Sequence, residues 1–253
     1  SPPMIVRSEE FTGHGGARLV LHRMGAGRPL VLVHGLFSSA QMNWIKWGHA
    51  ALLAEAGFEV LMPDLRAHGQ SAAPHEAEAY PADVLALDLM ALIAALGLED
   101  FDLGGFSLGA RTSVRGVLHG LRPRRLVLGG MGLEGLAGWS GRQAFFLDVL
   151  DRFDAIRMGD PAYMTAQCMK SMKVDRVAAR LLLQTMTDTA PDTLAALTMP
   201  VLVVCGDEDR DNGDPQALVR ALPSATQAVI PGTHMGCVTQ PELGRAIRDF
   251  LAD

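Results

Sequence analysis

Ser107 lies in Gly105-Phe106-Ser107-Leu108-Gly109, a single hydroxyl with a glycine two residues away on each side. An apolar stretch, Phe101 to Phe106, precedes it, and a helical pattern, Leu108 to Leu118, follows. Strand, G-x-S-x-G, helix is the order of a nucleophile elbow, where a strained turn holds the serine hydroxyl clear of a sheet edge. The spacing is steric. Side chains two residues before and after the serine would collide with the adjoining strand and helix, and glycine has none. The plainer reading is a turn whose serine caps the helix.

A serine hydroxyl is a weak nucleophile until a base takes its proton. His234, in Pro231-Gly232-Thr233-His234-Met235-Gly236, is the candidate base. It follows the last expected strand, so it should emerge at the same sheet edge as Ser107. A base histidine needs an acid to fix its tautomer and balance the charge it acquires. The loop after Val201 to Cys205 offers Asp207, Glu208, Asp209, Asp211 and Asp214. Asp214 precedes Pro215 and reads as a helix cap; the others are ordinarily a solvated run. Whichever acid serves, the chain order is serine, acid, histidine. Activity should then fall on acidification, because only the neutral imidazole accepts a proton.

These groups need a scaffold. Met4 to Arg7 and Arg18 to Met24, with glycines between, read as an antiparallel hairpin. Pro29 to His34, Glu59 to Pro63, Phe101 to Phe106, Arg125 to Leu128, Val201 to Cys205 and Ala225 to Ile230 read as further strands. The continuous apolar run of Pro29 to His34 suits a strand buried on both faces, and Glu59 to Pro63 reads as another. Helical patterns alternate with them at Asn43 to Ala56, Pro81 to Gly97, Leu108 to Leu118, Pro215 to Leu222 and Pro241 to Leu251. The expectation is an α/β fold with a mainly parallel, doubly wound sheet whose strand C-termini share one edge. From Gly132 to Leu197 no strand is visible. Gln143 to Phe153, Tyr163 to Met172 and Val174 to Met186 read as helices. That divides the chain into a core of residues 1–131 and 198–253 and a helical insertion of residues 132–197.

With these residues in place the chain resembles the α/β-hydrolase fold family, in its serine-nucleophile, esterase-like branch with a helical cap. His34-Gly35-Leu36 resembles the family's oxyanion-loop H-G motif. Asp64-Leu65-Arg66-Ala67-His68-Gly69-Gln70-Ser71 resembles its D-x-R-G-H-G-x-S segment, with Ala67 in place of the usual glycine. Gly206-Asp207-Glu208-Asp209 resembles its G-x-x-D acid loop, which implies Asp209 as the acid. The resemblance also implies an oxyanion hole from the backbone N–H groups of Leu108 and of Leu36, with Phe37 as the alternative to Leu36. It implies structural roles for His34, Arg66 and His68, and residues 132–197 as the cap. The expected activity is cleavage of carboxylic esters of small or medium apolar acyl groups through an acyl-enzyme, with Ser107, Asp209 and His234 catalytic. The same triad serves lactones, thioesters, amides, diketone C–C bonds and peracid chemistry, and some relatives only bind ligands. Epoxide hydrolases and haloalkane dehalogenases carry an Asp nucleophile where this chain has Ser107.

Composition narrows the partners. The chain has 253 residues, 49% hydrophobic, with a net charge of −6 and no basic block. No nucleic-acid partner is suggested, and no cofactor or metal is expected. Cys168, Cys205 and Cys237 show no ligand spacing and read as small buried hydrophobes in a reducing compartment. No signal peptide is visible in Ser1 to Glu10, and Val84 to Leu98 is too short and too polar for a membrane span, so a cytoplasmic location is expected. Gly130-Met131-Gly132-Leu133-Glu134-Gly135 satisfies G-x-G-x-x-G, but no second strand follows until Val201, so it reads as a flexible hinge and not a dinucleotide site. Aromatics and methionines of the insertion, with Trp44 and Trp47, are expected near an apolar pocket.

Overall fold

The computed structural model describes residues 4–252. Among them, eight strands form one sheet: β1 (Arg7–Thr12), β2 (Arg18–Met24), β3 (Arg28–Val33), β4 (Phe58–Asp64), β5 (Asp102–Phe106), β6 (Leu126–Gly129), β7 (Val201–Gly206) and β8 (Ala225–Ile230). Their spatial order is β1-β2-β4-β3-β5-β6-β7-β8. β2 runs antiparallel to β1 and β4, and every other pairing is parallel. β3, β5, β7 and β8 therefore end at the same edge, and the loops after them hold the residues singled out above.

The apolar runs divide by strand alternation. Val31 and Val33 enter one core, while Leu30 and Leu32 enter the core on the opposite face. Helices α1 (His49–Glu55), α2 (Val84–Ala95) and α3 (Leu108–Leu118) precede β6. Helices α4 (Leu133–Ala137), α5 (Trp139–Asp151), α6 (Tyr163–Ser171) and α7 (Arg176–Thr185) lie between β6 and β7. α8 (Pro215–Ala221) and α9 (Pro241–Leu251) complete the α-helices among the described residues. Residues of α2, α3 and α8 join Val31 and Val33, and residues of α1 and α9 join Leu30 and Leu32. The sheet is thus covered on both faces, as its continuous apolar strands require. No helix among the described residues is long and apolar enough to cross a membrane.

Several boundaries differ from the expectation. The first strand is Arg7–Thr12, not Met4 to Arg7; its side chains are largely exposed, so it carries little apolar periodicity to read. The helix expected from Asn43 to Ala56 is two pieces, a π-helical turn at Gln41–Ile45 and α1, separated at Gly48 with φ +87°. α2 begins at Val84 and not at Pro81, after Asp83 at φ +57°. The hinge expected at Gly130 to Gly135 is close packing instead. A Cβ on Gly130 would meet the Phe106 ring at 2.6 Å, and one on Gly135 would meet Met131 Sδ at 2.4 Å. A short helix, α4, opens there after all, but three more helices follow before β7, so the parallel neighbours β6 and β7 are joined by a long helical excursion and not by the compact single-helix crossover of a dinucleotide site.

Candidate active site

Ser107 stands between β5 and α3 at φ +55°, ψ −113°, a conformation that costs a non-glycine residue about 1–3 kcal/mol. The neighbours hold it there. A Cβ on Gly109 would lie 1.9 Å from Val33 O, and one on Gly105 would lie 2.2 Å from the Gly109 carbonyl carbon. The two glycines let helix, elbow and strand β3 touch backbone to backbone. Ser107 N–H donates to Gly129 O at 2.8 Å, tying the turn to β6.

His234 follows β8 and meets the acid loop after β7. Its Nδ1–H donates to Asp209 Oδ2 at 2.8 Å. The other carboxylate oxygen, Oδ1, accepts from the backbone N–H of Asp211 at 3.1 Å. Asp209 is therefore the acid that reaches the imidazole, its side chain 3% exposed against 13% for His234. The other acids have separate places. Asp207 accepts from Gly232 N–H at 2.8 Å and so fastens the histidine loop to the acid loop. Asp214 caps α8, accepting from Gln216 N–H. Glu208 and Asp211 are exposed. Asp209, Asp211 and His234 each offer a ligand atom within 4.8 Å of the others. Within that cluster Nδ1 of His234 and Oδ2 of Asp209 are already hydrogen-bonded to each other.

Ser107 and His234 line one cavity of about 420 Å³. No hydrogen bond joins them among the described residues; Ser107 Oγ instead accepts from Asn212 Nδ2 at 3.2 Å. Catalytic hydrogen bonds are often long without substrate and tighten when it binds. The His234 ring packs against Phe106, centroids 5.0 Å apart.

The loop after β3 reaches the same cavity. A Cβ on Gly35 would lie 3.6 Å from Ser107 Cβ, so the H-G loop abuts the elbow. Gly35 N–H donates to Asn43 Oδ1 at 2.9 Å. The backbone N–H groups of Leu36 and Leu108 take no partner among the described residues, and both residues line the cavity. Phe37, at φ +62°, lines it too. His34 braces this loop from behind: its Nδ1–H donates to Gly35 O at 2.7 Å, and its Nε2 accepts from Leu65 N–H at 3.0 Å. Burial pushes the His34 and His68 imidazoles toward neutrality, His68 down to about 3 with the adjacent His34 adding to the effect. Arg66 forks onto the buried carboxylate of Asp88. Ala67 has φ +70°, which is why glycine is the usual residue there.

The remaining wall is mostly apolar. Trp139 and Phe146 of α5, Cys168 of α6 and Met172 contribute to it, as do Trp47 and Met42. Trp44, expected near the pocket, lies instead in the second core, 1% exposed. Met158 and Met164 face outward. Cys205 and Cys237 are buried as expected, their thiols pushed up to about 12 by burial, but Cys168 is half-buried at the cavity. Arg142 lines the cavity over the Phe146 ring, at 4.8 Å; burial lowers its pKa and the nearby Asp211 and Asp209 oppose that. Asn43, Arg142 and Asn212 were not singled out from the sequence. Asn212 carried one usable signal, an amide placed three residues after the acid, on the loop facing the elbow.

Residues 28–120 match the family described as alpha/beta hydrolase fold. A bifunctional epoxide hydrolase 2 of Sus scrofa is 39% identical over 85 residues, 33% of this chain and 15% of that protein. An N-formylmaleamate deformylase of Pseudomonas putida is 35% identical over 125 residues, 49% of this chain and 45% of that protein. The matches thus span less than half the length of either relative. The structure of a thermophilic esterase from Thermogutta terrifontis superposes with a TM-score of 0.76 at 25% identity, covering 97% of this chain and 98% of that one.

Proposed function

We propose, from its membership of the α/β-hydrolase fold family, that this chain is a serine hydrolase cleaving carboxylic esters of small or medium apolar acyl groups. The observation that carries the reading is the 2.8 Å bond from His234 Nδ1 to Asp209 Oδ2, at the wall of the cavity that also holds Ser107 on its strained elbow. Ser107 Oγ attacks the ester carbonyl, and His234 Nε2 takes its proton and then gives it to the departing alcohol. Water repeats the sequence on the acyl-enzyme and frees the acid. Asp209 holds the imidazole with Nε2 unprotonated and toward the cavity, and balances its positive charge when it takes the proton. The N–H groups of Leu36 and Leu108 receive the charge that develops on the carbonyl oxygen; one such donor is worth about 10²–10³ in rate. The predominantly apolar wall favours an uncharged acyl group. An Asp-nucleophile reaction of the epoxide-hydrolase kind is disfavoured, because the elbow carries Ser107.

Turnover of p-nitrophenyl acetate and butyrate, with Ser107→Ala as the control, tests the reading. The expected result is loss of turnover and of fluorophosphonate labelling in that variant; unchanged turnover would end the proposal. The likeness to a deformylase adds amides to the substrate panel.

A further inference from the structure

The side-chain amide of Asn212 reaches two places at once. Its Nδ2 donates to Gly130 O at 2.8 Å and to Ser107 Oγ at 3.2 Å. The Gly130 carbonyl decides which end of the amide points there, because an amide oxygen in that position would face another oxygen. Asn212 is buried, 3% exposed, and its Oδ1 has no hydrogen-bond partner among the described residues. Its backbone is held too. Gly135 N–H donates to Asn212 O at 3.0 Å, and a Cβ on Gly132 would lie 2.6 Å from that same oxygen. A buried amide oxygen without a partner carries a desolvation cost that the two Nδ2 bonds must offset. Costs of this kind concentrate where a side chain serves the reaction, and the one reactive atom in reach is Ser107 Oγ.

We propose that Asn212 positions the nucleophile: it donates a hydrogen bond to Ser107 Oγ, fixes that oxygen at the cavity wall and keeps donating as the serine proton leaves. The inference rests on the serine-hydrolase reading above. The Nδ2 group has no lone pair to offer, so it cannot take the serine proton. Ser107 keeps its own hydrogen free for His234 Nε2. During attack the Oγ–C bond forms, the carbonyl π pair moves onto the carbonyl oxygen, and the proton passes from Oγ to Nε2. Negative charge on Oγ peaks during that transfer, and a hydrogen bond to a charged oxygen is stronger than one to a neutral oxygen. Once Oγ is an ester oxygen the bond weakens again. The stabilisation therefore falls on the attacking step and not on substrate binding.

The test uses the full chain with Asn212→Leu and Asn212→Ala. Three quantities are measured: the second-order rate of Ser107 phosphonylation by a fluorophosphonate, kcat and KM on p-nitrophenyl butyrate, and Tm. Phosphonylation and kcat/KM are expected to fall about 10- to 100-fold, with KM changed less than about threefold. Both variants lose the Nδ2 bond to Gly130 O, so Tm is expected to fall by a few degrees; the rates are compared well below it, and the alanine variant gives the kinetic answer if leucine overfills the site. A folded variant phosphonylated at the original rate would overturn the inference, as would an effect confined to KM. Failure of the unaltered chain to react with the fluorophosphonate would instead remove the serine-hydrolase reading on which the inference stands.

Discussion

At the scale of single residues, the acid loop illustrates how geometry chooses among like groups. Five carboxylates follow β7, and Asp209 bonds the imidazole. Both of its oxygens are occupied, one by His234 and one by Asp211 N–H. Asp209→Asn keeps the shape but lets the amide donate to Nδ1, which shifts the ring hydrogen to Nε2 and leaves no acceptor for the serine proton. By this argument kcat should drop about 10³- to 10⁴-fold with the fold retained, checked by steady-state kinetics beside circular dichroism. Asp211→Asn should cost far less, and parity between the two would show the acid to be misassigned. Ser107, His234 and the acid loop were legible in the sequence because glycine spacing and position after a strand betray them. The choice of acid came from the family resemblance, since no local pattern separates one carboxylate in a run from the next. Asn212 was missed: its position three residues after the acid puts it on the right loop, but its contacts are with Gly130 and Ser107, far away along the chain.

At the scale of elements, the elbow depends on an approach that a single methyl group would block. Val33 O lies where a Gly109 Cβ would sit, 1.9 Å away, and the obstruction is backbone that cannot swing aside. Gly109→Ala should destabilise the chain by about 3 kcal/mol or more, or prevent recovery of folded protein. A urea midpoint unchanged from the parent would contradict this. α3 was predicted at its observed bounds because the elbow starts it and Gly120 follows closely. Strands β3 to β7 were also readable, since burial on both faces makes them largely apolar runs, and β8, exposed at the other sheet margin, was readable from its place between two helical patterns. The exceptions have local causes. β1 lies at the sheet margin with exposed side chains, and the Gln41–Glu55 stretch is interrupted by a left-handed glycine that its apolar pattern does not reveal.

For the whole molecule, buried histidines make stability depend on pH. His34, His49 and His68 all have folded pKa values lowered by burial, His68 to about 3. In the unfolded chain each takes a proton near the ordinary value of about 6.5, so the unfolded state binds more protons below that pH. Stability is full above about 6.5 and declines as pH falls toward the folded values, by up to about 1.4 kcal/mol per pH unit for each group. Asp64 adds a second, lower window. Burial raises its pKa, but bonds from His22, the neighbouring His34 and the N–H groups of Gln70 and Ala40 prevail and hold it at about 2. Its contribution is present above the ordinary 3.8 and disappears between there and about 2. Urea midpoints at pH 7.5, 6 and 5 should fall steadily, and His68→Gln should show a shallower decline; an identical slope would exclude His68 from the effect.

The helices between β6 and β7 supply Trp139, Phe146 and Cys168 to the cavity wall, whereas Ser107, Asp209 and His234 come from loops at the sheet edge. Part of the cavity lining thus lies on a stretch of the chain separate from the loops that carry Ser107, Asp209 and His234. Substitutions confined to residues 132–197 can therefore reshape that part of the wall without replacing any of these three side chains.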